Sequence, residues 1–410
     1  MDNVARMDKQ AQHRALMVAA SSQLLVLTLW FSASAVAPQL QSEWGLSVAA
    51  AAWLTLAVQI GFVVGALTSA LFNLPDLIPA RRMFFGATVV AVLANSALVM
   101  LSGSPLVTAT ILRLIVGISL AGVYPAGLKV VSGWFDKQRG MALGVLVGAL
   151  TVGSALPHLV RGTGLDWKSV ILVSSVLAMI GGVLMLRFVQ DGPYDTAPTK
   201  FSLRLIGSVV ANKGVRLSTY GYLGHMWELY AMWTWTAAFL FASAQAGGYS
   251  TAWVSTATFA IIAVGGVGSW WAGSLADRYG KELIAGGAMA ISGTMALLSP
   301  FVFGANPFIV LALFGVWGLT VVADSAQFSA LVTETADDRY RGTALTLQTA
   351  LGFMLTLITI RGVPAIADAL GWQWAFPWLA IGPVIGILAM NRLAVYQKHQ
   401  AQERELAGSP

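Results

Sequence analysis

The sequence predicts an all-α membrane protein of twelve transmembrane helices in two pseudo-symmetric six-helix bundles. Three observations lead there. Of 410 residues, 57% are hydrophobic and 10% are charged, against about 25% charged in a soluble chain. Twelve stretches stay apolar for about the 20 residues that a helix needs to cross a bilayer core. Short motifs in the first six stretches return in the second six at an offset of 200 to 202 residues.

The twelve stretches lie at roughly 15–37, 49–73, 83–102, 105–127, 142–161, 169–189, 218–243, 251–275, 283–303, 307–330, 343–361 and 372–391. The first contains Ala33-Ser34-Ala35, which resembles a signal-peptide cleavage site. Its apolar run is too long for a signal h-region of about 7–15 residues, so it is read as an uncleaved helix. The segment 190–217 divides the chain. It opens on DGPYDTAP and continues as FSLRLIGSVV, which reads as a short helix at the membrane surface. Residues 1–189 are expected to form one bundle, 190–217 a cytoplasmic linker, and 218–410 the second bundle.

The net charge of +6 is a matter of topology. With twelve spans, 20 of the 24 Lys and Arg fall on the side of the termini and the even-to-odd loops, three fall opposite, and Arg113 lies inside a span. Basic loops stay in the cytoplasm, so both termini are expected there. Anionic headgroups are the expected partners of these loops, not nucleic acid.

The repeat is specific. RGMAL at 139–143 matches RGTAL at 341–345, Asp76 matches Asp277, and Arg161-Gly162 matches Arg361-Gly362. Parallel repeats about an axis along the membrane normal are a transporter architecture, with the solute site near the midplane between halves.

GSLADRYGK (273–281), in the loop after the eighth span, resembles the Gly-x-Leu-x-Asp-Arg-x-Gly-Arg/Lys signature of the major facilitator superfamily. FNLPDLIPARR (72–82) keeps Asp76 and an Arg pair but lacks both glycines. ILRLIVG (111–117) is similar to the family's Arg-x-x-x-Gly segment, and 124–144 is similar to a stretch of nitrate, cyanate and monocarboxylate carriers. Nitrate itself is not expected, because the second and eighth spans have no Arg. Span five keeps Gly144, Gly153 and Pro157 of an antiporter motif but lacks its Gly before Pro.

The resemblance implies a bacterial inner-membrane carrier working by alternating access. It also implies a cytoplasmic latch at the repeated loops: Asp76, Arg82, Asp277 and Arg278, with Arg139 and Arg341 at the neighbouring helix starts. Physically, a carboxylate there meets the positive end of a helix in the other half.

Ionisable groups inside spans are costly and face cavities or each other. Here they are Arg113, His158, His225, Glu228 and Asp324. His225 and Glu228, three apart, share a helix face. Around Asp324 the same spacing gathers Trp317, Thr320, Gln327 and Phe328; around Arg113 it gathers Thr110, Gly117 and Tyr124. Trp30, Tyr124, Tyr230, Trp233 and Trp317 are aromatic candidates for a solute site. Arg113 is the expected counter-ion of an anionic or zwitterionic solute. Two carboxylates against one Arg leave one negative charge in excess, and a neutral carboxyl is the cheapest buried form. A coupling proton is therefore expected on Glu228, with His225 one turn away to share it, or on Asp324.

With no Cys, disulfides, thiolate metal sites and thiol nucleophiles are excluded. No phosphate-binding loop or HExxH motif is present. No enzyme activity, cofactor or metal is expected, and a monomer is. The partners expected are a small-molecule solute, protons and the lipid bilayer. A proton-driven efflux antiporter for drugs or other toxic compounds is the alternative. A transporter-derived receptor or sensor comes third, because both tails are short.

Overall fold

The computed structural model describes residues 2–103, 105–135, 139–190, 192–194 and 201–407. Among them every regular element is helical. Ten helical stretches are long and apolar enough to cross a membrane: Val48–Leu71, Ala80–Met100, Leu106–Trp134, Gly140–Gly162, Trp167–Phe188, Val254–Tyr279, Lys281–Val302, Pro307–Thr335, Arg341–Leu370 and Trp372–Glu403. They match ten of the expected spans.

The other two expected spans are helical as well, but each has a physical reason for falling short. The first starts as Asp2–Leu27, breaks at Thr28–Phe31, and resumes as Ser32–Ala35 and Ala37–Trp44. The seventh, Lys213–Ala246, is unbroken over 34 residues, about 51 Å at 1.5 Å per residue. Its His225, Glu228 and run of Tyr and Gly dilute its hydropathy. It begins five residues before the boundary expected from sequence, capped by Asn212, whose side chain accepts from the Val215 N–H at 2.9 Å.

The duplication is visible in the helix bounds. The fourth span is broken into Leu106–Leu120 and Tyr124–Trp134, the tenth into Pro307–Thr320 and Ser325–Thr335. Both pieces start 201 residues later in the second copy. In the fourth span Pro125 explains the interruption: its ring has no N–H to give and crowds the preceding turn. In the tenth no proline stands at the break; Asp324 and Ser325, which compete for backbone groups, are there instead.

Prolines also sit inside the fifth and eleventh spans. Pro364 leaves the Ile360 carbonyl without its helical donor, and Trp235 Nε1 donates to that oxygen at 2.9 Å. The linker's described end, Leu203–Ala211, packs under the second half, where Val209 joins Val215, Val332 and Tyr340 in one buried cluster.

Two seams join the halves. Along the first, the fifth span runs against the eighth. A Cβ on Gly148 would stand 3.1 Å from the Gly266 carbonyl, and one on Gly162 would meet Thr256. Glycines at both faces let the backbones approach, as small residues do between membrane helices. The second seam pairs the second and eleventh spans. Phe62 packs on Phe353 with ring centroids 4.5 Å apart and the rings tilted by 40°. At the end of this seam away from the linker, Arg361 Nη1 donates to the Ala49 carbonyl at 2.9 Å. Exposed Val107, Ile111, Val176, Ile180, Met354 and Ile358 suit a hydrocarbon surround.

Candidate functional site

Glu228 sits in the middle of the seventh span, 1% exposed. Trp317 Nε1 of the tenth span donates to its Oε1 at 2.7 Å. Ser292 Oγ of the ninth donates to its Oε2 at 2.8 Å. The same hydroxyl lies 3.3 Å from the Met289 carbonyl. A hydroxyl rotor both donates and accepts. With Glu228 charged, the rotor points at Oε2. With a proton on Oε2, it can turn to the Met289 carbonyl and accept from the carboxyl. Trp317, a donor only, serves Oε1 in both cases. The pocket thus satisfies either protonation state without moving a helix.

His225 and Glu228 share a face, as their spacing requires, yet they serve different partners. His225 Nδ1 lies 2.8 Å from Asp324 Oδ1, with both side chains almost wholly buried. The ring N–H is not aimed squarely at that oxygen, and neither His225 Nε2 nor Asp324 Oδ1 makes a hydrogen bond. Phe328 covers the imidazole at 5.6 Å between centroids.

Helical spacing misplaces the surroundings of Asp324 because the span is broken there. Trp317, on the piece Pro307–Thr320, reaches Glu228. Gln327 folds back to donate to the Ala323 carbonyl at 3.1 Å. The fourth span likewise breaks between Arg113 and Tyr124, at residues 121–123.

Arg113 is the one buried Lys or Arg among the described residues. Its guanidinium makes five hydrogen bonds, all to neutral oxygens. Nε donates to the Leu54 carbonyl at 3.2 Å. Nη1 donates to the Leu29 carbonyl at 3.0 Å, Ser32 Oγ at 3.2 Å and Asn95 Oδ1 at 2.9 Å. Nη2 donates to the Trp30 carbonyl at 2.5 Å. Arg113 therefore staples the broken first helix to the second, third and fourth. This geometry gives it a structural task where the sequence suggested a solute counter-ion.

Trp30 and Phe31, at that break, point across to the second half. Trp30 meets Tyr230 at 5.8 Å and Phe353 at 5.7 Å between ring centroids. Phe31 meets Trp233 at 6.0 Å. Three of the aromatic candidates thus converge in one block; Trp317 lies with Glu228, and Tyr124 packs at the edge of the core.

His158 and Ser154, four apart and so on one face of the fifth span, are buried; His158 Nε2 and Ser154 Oγ have no partner. Gln59 of the second span is fully buried, and neither end of its carboxamide is bonded. Sequence reasoning missed Gln59, although a lone amide in an apolar span was a readable signal. It missed Ser292, Phe31, Phe62 and Phe353 because serine and phenylalanine are ordinary in such spans.

At the end of the bundle that carries the linker, Asp277 of the second half lies beside the start of the fifth span in the first. Its carboxylate oxygens are 3.5 and 3.7 Å from where a Cβ on Gly140 would stand. Gly280, with φ of 93°, ends the eighth span in a conformation that favours glycine. Arg278 and Arg82 are exposed. Arg341 stays within its own half, bonding the Thr333 carbonyl at 3.0 Å and Asp338, so it makes no cross-half latch in this arrangement. The side chains of Asp76 and Arg139 lie outside the described ones.

The comparisons with known proteins agree with this architecture. The family model for the Major Facilitator Superfamily matches residues 19–256. An uncharacterized MFS-type transporter, YfnC, of Bacillus subtilis is 30% identical over 131 residues, covering 32% of this chain and 31% of its own. A probable actinorhodin transporter of Streptomyces coelicolor is 26% identical over 196 residues, covering 44% of this chain and 32% of its own. The chain spans about a third of the length of the curated relatives it matches. A helical, duplicated chain whose family match covers more than half of its length belongs to the Major Facilitator Superfamily.

Proposed function

We propose that the protein is a proton-coupled secondary transporter that moves a small organic solute by alternating access, with Glu228 carrying the coupling proton. The observation that supports this most is the Glu228 pocket: a buried carboxyl held by two neutral donors, one of which can reverse. A structural acid would be expected to have a fixed cation, and the buried Arg of this protein is bonded elsewhere. A carboxyl that is equally well served with and without its proton can load on one side of the membrane and unload on the other. Asp324, beside His225, is the second acid of the same half and the alternative carrier.

Direction is a separate matter. The printed name of the Streptomyces relative, a probable actinorhodin transporter, supports an organic solute and keeps the efflux antiporter as the second reading. The preference for an anion loses its main support, because Arg113 is held by five neutral oxygens.

Infrared difference spectra taken across a pH titration test the proton carrier without knowledge of the solute. A protonated-carboxyl band that titrates in the wild type should vanish in Glu228→Gln. With a solute found by thermal-shift screening, Glu228→Gln in proteoliposomes should lose pH-driven accumulation and keep solute exchange. Persistence of both the band and the accumulation in this variant would move the role to Asp324 or end the coupling reading.

A further inference from the structure

The aromatic block between the halves has a composition of its own. Trp30 and Phe31 come from the first span, Phe62 from the second, Tyr230 and Trp233 from the seventh, and Phe353 from the eleventh. Five of its contacts cross from half to half: Trp30 with Tyr230, Trp30 with Phe353, Phe31 with Tyr230, Phe31 with Trp233, and Phe62 with Phe353. All six rings are buried. Yet the indole N–H groups of Trp30 and Trp233 make no hydrogen bond, nor does the carboxamide of Gln59, one turn from Phe62. Buried polar groups in native proteins are nearly always partnered, and an unpartnered one calls for an explanation. Three at one ring cluster point to a ligand.

We infer that this block is the solute site and that it takes a flat, uncharged, aromatic solute bearing hydrogen-bond acceptors. This rests on the transporter reading above and gives it a solute class. Rocking of the halves must part the crossing ring pairs, each worth about 0.5–1.5 kcal/mol beyond its buried area. A solute with aromatic faces replaces those contacts as they are lost, so the loaded protein moves more easily than the empty one. Two indole N–H groups are donors only, which selects acceptors such as ring carbonyls.

Charge selects in the same direction. A cation entering the block would approach the Arg113 guanidinium, which bonds the Trp30 carbonyl itself. Glu228 offers no relief, because residues 228 and 230 lie about 200° apart around their helix. An anion would shed its hydration without gaining a free counter-ion, since the guanidinium already has five oxygen partners. The two tasks nonetheless share one element: the seventh span carries the solute rings on one face and the proton site on the other.

Four matched tricyclic probes test the class: 9-fluorenone (neutral, one acceptor), fluorene (neutral, none), fluorenone-4-carboxylate (anion) and N-methylacridinium (cation). Binding is measured by equilibrium dialysis with the full chain in lipid nanodiscs, and empty nanodiscs correct for partition. Fluorenone should bind more tightly than either ion. It should also exceed fluorene by about two- to tenfold, the worth of one hydrogen bond. Trp30→Phe combined with Trp233→Phe keeps the rings and removes the donors, and should bring the fluorenone-to-fluorene ratio to one. Tyr230→Leu should weaken both neutral probes alike. If the combined variant does not fold, Trp233→Phe and Gln59→Leu singly carry the ratio test.

Tighter binding of either ion, a ratio unchanged in every donor variant, or no binding of any probe overturns the inference. The assay uses no gradient, so it reads separately from the coupling test. Glu228→Gln should bind fluorenone as the wild type does, whether or not it couples to protons.

Discussion

Replacing Arg113 by Met should destabilise the protein more than it impairs solute recognition. From the fourth span, the side chain makes five hydrogen bonds to the first, second and third spans. Charge-assisted bonds contribute about 1.5–3 kcal/mol each, so their gross worth is about 7–15 kcal/mol. Against this, Met removes a charge whose burial costs several kcal/mol. One acceptor also keeps a partner: the single Ser32 hydroxyl proton can still go to Asn95 Oδ1 at 2.9 Å or to the Leu29 carbonyl at 3.1 Å. What remains is a net loss of a few kcal/mol, from buried neutral acceptors left without a donor at about 1–3 kcal/mol each. Met is chosen because it nearly fills the same volume and adds little cavity cost. Arg113→Lys should recover only part of the loss, since three donors on one nitrogen cannot reach acceptors spread around a planar fork. Thermal unfolding in detergent, followed by tryptophan fluorescence, reads the effect. A folded Arg113→Met protein with wild-type stability and abolished solute binding would refute the reasoning and restore a counter-ion role.

Two further outcomes concern the seams. Asp277→Asn removes a negative charge from beside the start of the fifth span, an interaction of about 0.3–1 kcal/mol at an exposed helix end. It should shift the balance of inward- and outward-open states about two- to fivefold with the fold intact, read by the accessibility of single cysteines placed in this Cys-free chain. Unchanged accessibility on both faces would sink the latch role. Gly148→Val introduces a Cβ 3.1 Å from the Gly266 carbonyl and branches beyond it. The fifth and eighth spans must then separate, so transport should fall at least tenfold while the separate halves remain helical by circular dichroism. Wild-type transport by Gly148→Val would show that the seam is not closely packed in the working protein.

The sequence by itself determined the helical class, the twelve segments and the repeat. Hydropathy acts residue by residue along a single helix, and a bilayer forces each backbone to satisfy its own hydrogen bonds. Even the interruption of the fourth span was written in Pro125, and the identity of the buried acids was plain from their rarity. Partnership was not. Continuous helical spacing put Trp317 with Asp324 and Tyr124 with Arg113, but both spans break between the two members, and Trp317 and Arg113 bond groups on other spans. The role of Arg113 turns on the unwound stretch Thr28–Phe31 of a different helix, 80 or more residues away in sequence. Glu228 and His225, one turn apart, meet different residues of the tenth span, Trp317 and Asp324, which the break in that span separates. Which polar atom meets which is decided by helix rotation, breaks and crossing, all set by packing between segments distant in sequence. A one-dimensional pattern records which residues are costly to bury; only the packed bundle decides what offsets that cost.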